Sequence, residues 1–378
     1  MVRGQRSVFR PQVWFAWNKS WHHPVFFVFP VLLLFLFAWP NIQRLGSPVA
    51  LGDVPELNQY VDLYHQDTTK LNRLTKKKAI SPDEKVLLSQ QIKALTPLVT
   101  AVLLNDDNRT RLVKDELRAT NNLVETLARG EMVPGFDLMS LKRRQAELKE
   151  ISRWHLKIVY TTDRHQSALM QTANMFRGYT PAGWLLTVVI FWVSAFIFED
   201  RRTDAIELIN LTPVSLTRMY RLRQLLVGIY VIVSTLMALL VSMFVPLLLT
   251  GGGTWHYPIA YLVNDTQVGV MAQGDFVLRA IGLLCAIIVF AIGVVAIIQL
   301  FVRRLLGSLL WGMVMMLSLS SYLGAWSPFS YLDIVAVLIP TSTVNRRFGL
   351  GVAVSLLIGT GIGLSWLSTV IIHRRNRI

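Results

Sequence analysis

Six runs of apolar residues, separated by polar intervals, dominate the pattern of the chain. An α-helix needs about 20 apolar residues to cross a hydrocarbon core about 30 Å thick, and these runs are of that order. The pattern therefore predicts an all-α polytopic membrane protein with six transmembrane helices. Spans 1 and 2 are predicted at 24–40 and 181–198, and spans 3 to 6, with cores at 225–249, 276–302, 305–326 and 348–372, fill 225–378.

The long polar interval 41–180 carries helical periodicity. The Ser-Pro-Asp-Glu run at 81–84 is a capping box that begins a helix, and Gly130 is suited to end one. Apolar residues recur along one stripe at 137–176, which predicts a single long helix there. We expect this interval to form an extracytoplasmic helical domain between spans 1 and 2.

Two basic runs lie in the same interval, at 76–78 and 142–144. We interpret both as solvated faces of helices, because charge runs usually are. The alternative is a basic surface that meets anionic lipid, a wall polymer or an acidic partner.

The composition agrees with a membrane protein, and the positions of its basic residues predict which side of the membrane is cytoplasmic. The chain has 378 residues, of which 53% are hydrophobic and 16% charged, with a formal net charge of +15. Basic residues cluster at 1–23, 199–224, 303–304 and 374–377, and such clusters stay on the cytoplasmic side. We predict a multi-pass cell-membrane protein, bacterial in plan, with both termini cytoplasmic and a cytoplasmic interfacial helix at 1–23. Anionic membrane lipid accounts for the positive charge, so no nucleic acid is expected as a partner.

The charged interval 199–224 joins spans 2 and 3 on the predicted cytoplasmic side. Its apolar positions fall on one face of a short helix and its charges lie off that face, so a soluble protein could dock there. We interpret the interval as a cytoplasmic coupling segment. Its candidate residues are Glu199, Asp200, Arg201, Arg202, Asp204, Glu207, Thr212 and Pro213.

The ELINLTPVS run from Glu207 to Ser215, preceded by Glu199 and followed by Arg218 and Arg223, resembles the first cytoplasmic loop of type 2 ATP-binding cassette (ABC) exporter permeases. In that family an acidic residue ends the second span, a Glu-Leu-Leu helix follows, and a turn similar to Thr-Pro-Val-Ser leads to the third span.

The resemblance implies a transmembrane subunit with no cofactor of its own. It implies two kinds of partner: a second permease subunit, the same or a related chain, and ABC ATPase subunits that hold ATP and Mg. The family's Gly-Thr before the coupling helix is Asp-Ala at 204–205 here, which alters the surface that would meet an ATPase.

The interval 327–347 holds an apolar core of about ten residues, too short to cross a bilayer. Asp333 and Pro340 lie within it. A helix-break-helix that dips into the outer leaflet fits this pattern, and it matches the re-entrant outer element between spans 5 and 6 of the exporter family. An ordinary amphipathic loop fits equally well.

The sequence lacks the residues that several functions would require. The apolar cores of the predicted spans hold no charged side chain except Arg279, whereas ion-coupled transporters bury ionisable groups there. The sequence has no GxxxxGK[ST] loop and no HExxH motif. The paired histidines at 22–23 have no further ligands nearby, so no metal site is predicted. We expect no catalytic residue and no enzyme activity in this chain.

Three functional hypotheses follow. The first is a permease subunit of an ATP-driven ABC exporter, which moves an apolar or amphipathic cargo such as a peptide, a lipid or a drug-like molecule. The second is a non-transporting receptor or immunity protein that captures a peptide through the domain at 41–180. The third is a scaffold for envelope assembly that acts through the same domain.

Overall fold

A computed structural model describes residues 24–42, 50–77, 81–106, 108–160, 166–179, 187–195, 216–263, 267–302, 307, 309–312, 314, 326–340 and 349–375. The predicted interfacial helix at 1–23 and the candidate coupling residues at 199–213 lie outside these residues. The described part of the chain is mostly helical and includes one two-stranded sheet.

The helices, in chain order, are α1 (Pro24–Ile42), α2 (Pro55–Lys77), α3 (Pro82–Leu103), α4 (Arg109–Ala128), α5 (Leu138–Arg153), α6 (Ala168–Asn174), α7 (Leu216–Thr250), α8 (Gln273–Phe301), α9 (Ile334–Leu338) and α10 (Leu350–Arg375). A π-helical turn at Met175–Tyr179 continues α6, and single 3-10 turns lie at Leu51–Asp53 and Pro328–Tyr331. Residues 187–195, inside predicted span 2, are helical. Strands β1 (Pro258–Leu262) and β2 (Val268–Ala272) pair antiparallel.

Two hydrophobic cores organise these elements. One lies in the helical domain, which we define as residues 50–160, and is built from α2 to α5. The other lies in the apolar bundle, which we define as α1, residues 187–195, α7, α8 and α10. In the bundle, Trp192 stacks on Tyr230 with ring centroids 4.5 Å apart and packs on Phe29 at 4.8 Å. These three rings hold α1, residues 187–195 and α7 together.

The helix ends of the helical domain follow local sequence rules. The Ser81 hydroxyl accepts a hydrogen bond from the Glu84 N–H at 3.2 Å, which confirms the predicted cap of α3. Asn108 caps α4 in the same way. Gly130, just beyond the end of α4, has a φ of 86°, a left-handed conformation that glycine adopts without strain.

The predicted single helix at 137–176 is wrong. Helix α5 ends at Arg153, His155 takes a φ of 50°, and residues 156–160 are not helical. Ile158 and Tyr160 are buried two residues apart, as in an extended chain. The domain core takes up alternate residues here, and that burial outweighs the helical periodicity of the sequence.

Four described helices are long and apolar enough to cross a membrane: α3 and most or all of α7, α8 and α10. A shorter apolar helix covers Phe27–Trp39 within α1. Helix α7 begins at Leu216, earlier than the predicted third span, so its first turns carry Arg218, Arg221 and Arg223. Predicted span 5 is described only in part, where it is helical.

Helices α8 and α10 pack with their backbones in close contact. A Cβ on Gly361 would lie 2.7 Å from the Val289 carbonyl oxygen and 2.9 Å from Phe290 Cα. A Cβ on Gly293 would lie 2.4 Å from the Gly361 carbonyl oxygen. Small residues allow such an approach, which is how helices gain packing energy in lipid.

The interval between α7 and α8 forms a β-hairpin. Its strands pair in register from Pro258 opposite Ala272 to Leu262 opposite Val268. The Val263 N–H donates to the Gln267 carbonyl oxygen at 3.0 Å beside the turn. The fold is therefore helical with one small sheet.

Candidate functional site

The start of α7 lies beside the ends of α8 and α10. The Tyr220 hydroxyl donates to the Ala296 carbonyl oxygen at 3.3 Å, and Gln224 Nε2 donates to the Ser368 hydroxyl at 3.2 Å. Thr217 Oγ1 lies 3.4 Å from His373 Nδ1. We call this the basic end of the bundle, because α7 and α10 both place arginines there: Arg218, Arg221, Arg223 and Arg374.

The described part of the predicted re-entrant element is compact and packed. Asp333 caps α9 by accepting from the Ala336 N–H at 3.1 Å. The Pro340 carbonyl oxygen accepts from the Leu262 N–H at 3.3 Å, which fixes the segment to β1. Phe329 meets Phe290 of α8 edge to face at 5.1 Å. Residues 341–348 lie outside the described part, so the second half of the predicted helix-break-helix stays a prediction.

A buried ion pair lies at the centre of the helical domain. Glu116 of α4 is fully buried, and its Oε1 accepts from Arg144 Nε of α5 at 2.6 Å. Its Oε2 accepts from the Tyr160 hydroxyl at 2.9 Å. The Arg144 side chain is 23% exposed, and its guanidinium also stacks 5.7 Å above the Tyr160 ring. The basic run at 142–144 is therefore not simply a solvated face, because its third member is used inside the domain.

The same ion pair extends to the hairpin. Arg144 reaches Glu147 Oε2 at 3.4 Å, and Glu147 Oε1 accepts from the Ala260 N–H of β1 at 3.1 Å. The Tyr257 hydroxyl accepts from the Val159 N–H at 3.0 Å. We call Glu116, Arg144, Glu147, Tyr160 and Tyr257 the junction network. It joins α4 and α5 to the hairpin between α7 and α8.

Burial and neighbouring charges shift the pKa values of three residues of the junction network. Burial raises the pKa of Tyr257 to about 12. Burial, with the Glu116 carboxylate adding to it, also raises the pKa of Tyr160 far above its ordinary value. Burial alone would lower the pKa of Arg144, but Glu116 beside it raises the pKa overall. Both phenols stay protonated and the guanidinium stays charged at neutral pH.

A second set of bonds ties residues 166–169, which follow the helical domain in the chain, to the end of α7. The Ala168 and Leu169 N–H groups donate to the carbonyl oxygens of Gly251 and Gly252, at 3.0 and 3.2 Å. The Thr250 hydroxyl donates to the Gln166 carbonyl oxygen at 2.8 Å. We call this the domain end of α7, opposite its basic end.

Glycine is required at the domain end. Gly253 has a φ of 83°, and a Cβ there would lie 2.1 Å from the Ser167 hydroxyl oxygen. No larger residue fits this conformation and this contact together.

The junction network suits mechanical coupling better than catalysis. The Glu116 carboxylate of this network is saturated by the Arg144 guanidinium and the Tyr160 phenol. One signal for it was present in the sequence, since Glu116 falls on the buried stripe of α4 with Leu112, Ala119 and Leu123. Val113, Leu117, Val124 and Leu127 also recur at helical spacing along α4, and a stripe drawn through them leaves Glu116 out.

Comparisons of the chain with models of protein families, with curated proteins and with solved structures gave no match.

Proposed function

We propose that the chain is the transmembrane permease subunit of an ATP-driven ABC exporter, in which separate ATPase subunits dock on the segment at 199–213. The proposal rests on the resemblance of residues 207–215 to the coupling loop of that family. The cargo we propose is apolar or amphipathic, since the predicted spans offer no charged lining.

One structural observation supports this function above the others. Helix α7 has 35 residues, which at about 1.5 Å per residue gives about 52 Å, well beyond a hydrocarbon core of about 30 Å. Its first turns follow the proposed docking segment. Its last residues are bonded to Gln166, Ala168 and Leu169, and the Gln166 side chain donates to the Tyr160 carbonyl oxygen of the helical domain at 2.9 Å. A push at the basic end would therefore reach the domain end through one continuous helix.

The surface of α10 is consistent with a second permease subunit. The helix is tightly packed on α8 through Gly361, yet Val352, Ile358, Ile362 and Trp366 are exposed. An apolar helix face of this kind is covered in a membrane by lipid or by another subunit. In the proposed exporter, a second permease covers it.

The test is a pull-down of the tagged full chain from its native membrane in mild detergent, followed by an ATPase assay. The Glu199→Ala, Arg202→Ala, Glu207→Ala variant removes two acids and one base from the docking segment. The matched control, Asp62→Ala, Arg73→Ala, Glu125→Ala, removes the same charges from exposed positions of the helical domain.

We expect an ATPase to copurify with the native chain and with the control, and to be lost from the docking-segment variant. If no ATPase copurifies with the native chain, the exporter proposal fails, and the receptor and scaffold hypotheses take its place. If the ATPase stays with the docking-segment variant, the coupling role of 199–213 fails.

A further inference from the structure

The helical domain contains a cavity that the exporter proposal does not use. It has a volume of about 480 Å³ and lies between α2, α3, the end of α4 and the loop that follows α4. Such a volume is typical of small-molecule sites. The ionisable groups that line it are Asp67 and Lys70 of α2, Asp83 and Glu84 of α3, and Glu131 of the loop; Thr126 is the lining residue from α4.

Asp67 is the residue that marks this cavity as a site. Its side chain is only 8% exposed, and among the described residues its buried Oδ2 has no hydrogen-bond partner. A buried carboxylate oxygen that lacks a partner is destabilising. The cavity that Asp67 lines lets a cationic ligand approach this carboxylate and offset part of its charge.

The charge balance of the cavity selects a cation. Four carboxylates face one ammonium group, and Lys70 is already paired with Glu84 at 2.9 Å. The cavity has a negative electrostatic potential, which comes from the remaining carboxylates of Asp67, Asp83 and Glu131. A positively charged ligand would be attracted and an anion repelled.

The walls of the cavity select the rest of the ligand. Leu87, Leu88 and Val133 line it beside the carboxylates, and Met132 stands 98% exposed at its rim. Among the described residues, no group of three His, Cys, Asp or Glu side chains is placed to hold a metal ion. Spread carboxylates with apolar walls suit an organic cation better than a metal.

We propose that this cavity binds a small organic cation, with its ammonium group on Asp67 and a short apolar body against Leu87, Leu88 and Val133. A primary ammonium in the cavity can donate to the Asp67 carboxylate in a charge-assisted hydrogen bond. The proposal does not depend on the exporter, because the ligand is held by residues of the helical domain alone.

Proton linkage gives the site a signature. Burial raises the pKa of Asp67 to about 6, although Lys70 nearby lowers it. Only the ionised carboxylate attracts the ammonium, so ligand and proton compete for the site. From pH 7.5 to pH 5 the ionised fraction falls about tenfold, and the affinity should fall by about the same factor.

The test uses the full chain in phosphatidylcholine nanodiscs, with n-butylammonium as the probe and binding measured by ligand-observed NMR. Neutral n-butanol and anionic butyrate have similar apolar bodies and serve as probe controls. Asp67→Asn removes the charge with almost no change of shape. Asp62→Asn removes an identical charge from an exposed position on the same helix.

We expect n-butylammonium to bind at least about tenfold more tightly than n-butanol, and butyrate not to bind. Asp67→Asn should weaken the ammonium about tenfold and remove its pH dependence, while Asp62→Asn stays within about twofold of the native chain. Equal binding of butylammonium and butanol would overturn the proposal.

Equal weakening by both variants, or native binding that does not change between pH 5 and pH 7.5, would also overturn it. If Asp67→Asn fails to fold, the native pH profile and the Glu131→Gln variant, expected to weaken binding less, decide the matter. None of these results depends on whether an ATPase copurifies.

Discussion

Helices α3 and α7 are both apolar and long enough to cross a membrane, yet they face opposite surroundings. On α7 the exposed side is apolar and repeats every four residues at Leu225, Ile229, Val233 and Met237. On α3 the exposed side is mainly polar, while Leu88, Leu95, Leu98 and Val102 are buried; the exposed polar residues are Asp83, Lys85, Ser89, Gln90, Lys93, Thr96 and Thr100.

The comparison shows that the exposed face of a helix is more informative than its average composition. A lipid-facing helix must present apolar side chains outward, whereas a helix of a water-exposed domain presents polar ones. By this criterion the exposed faces of α7, α10 and the shorter α1 are compatible with a membrane, and α3 belongs to the helical domain.

The two regions also differ in what they bury. Among the described residues, the buried charged side chains, Asp67 and Glu116, lie in the helical domain. The bundle buries neutral polar groups such as Gln224, Ser242 and Ser368. The helical domain can hold the Glu116 charge because Arg144 and Tyr160 compensate it, and lipid offers no such compensation.

The largest expected effect comes from a substitution that breaks the junction network. Arg144→Met leaves Glu116 buried without its guanidinium, which should lower the free energy of unfolding of the domain by about 3–5 kcal/mol. Pulse proteolysis of the full chain in a urea series measures it. Arg153→Met, which removes an exposed partner of Glu150, should cost less than about 1 kcal/mol.

The double variant Glu116→Gln, Arg144→Met sharpens this result. It also removes the buried Glu116 charge that Arg144→Met leaves without a partner. It should therefore recover a large part of the lost free energy of unfolding. A single Arg144→Met variant as stable as the native chain would show that the ion pair does not hold the domain together.

The next largest effect tests the packing of the bundle. Gly361→Val would place a Cβ against the backbone of α8 and should destabilise the bundle by about 2–3 kcal/mol. Gly359→Val lies on the same helix where a Cβ meets nothing within 4 Å, so it should change stability little. Thermal unfolding in detergent, followed by circular dichroism, compares the two. Equal losses would mean that the contact of α8 with α10 is not tight.

A pH-dependent effect tests the buried carboxylate at the cavity. The pKa of Asp67 is raised to about 6 in the fold, so this residue favours folding at pH values below about 4 and that contribution is lost as pH rises through about 6. Asp67→Asn should therefore stabilise the free chain by about 3 kcal/mol at pH 7.5 and by about 1 kcal/mol at pH 4.5. Unfolding midpoints at both values, with Asp62→Asn as the control, measure the difference. A gain of the same size at both pH values would contradict it.

The smallest effect tests local capping in the helical domain. Ser81→Ala removes the acceptor of the Glu84 N–H and should cost about 1 kcal/mol. Ser89→Ala removes an exposed hydroxyl in the middle of α3 that bonds only its own helix and should cost less. Hydrogen exchange over the first turn of α3 separates the variants, since only the loss of the cap should speed exchange there.

The predictions that were confirmed depend on local sequence rules for helix caps and apolar runs. The caps at Ser81 and Gly130 and the positions of α7, α8 and α10 follow from neighbours in sequence, so the sequence alone located them to within about ten residues. The prediction of one helix at 137–176 was wrong, because the periodicity continued past Arg153 while the domain core required an extended chain.

The sequence by itself determined that the chain is mainly helical, with apolar helices long enough to cross a membrane and a polar helical interval, because apolar run length and helix caps depend on local composition. It also suggested an exporter loop at 199–215, which stays a prediction. Only the tertiary structure decided the partners of Glu116, the contact of Gly361, the hairpin at 258–272 and the cavity at Asp67. Each of these depends on residues far apart in the chain, and their distances are set when helices pack together rather than by any local pattern.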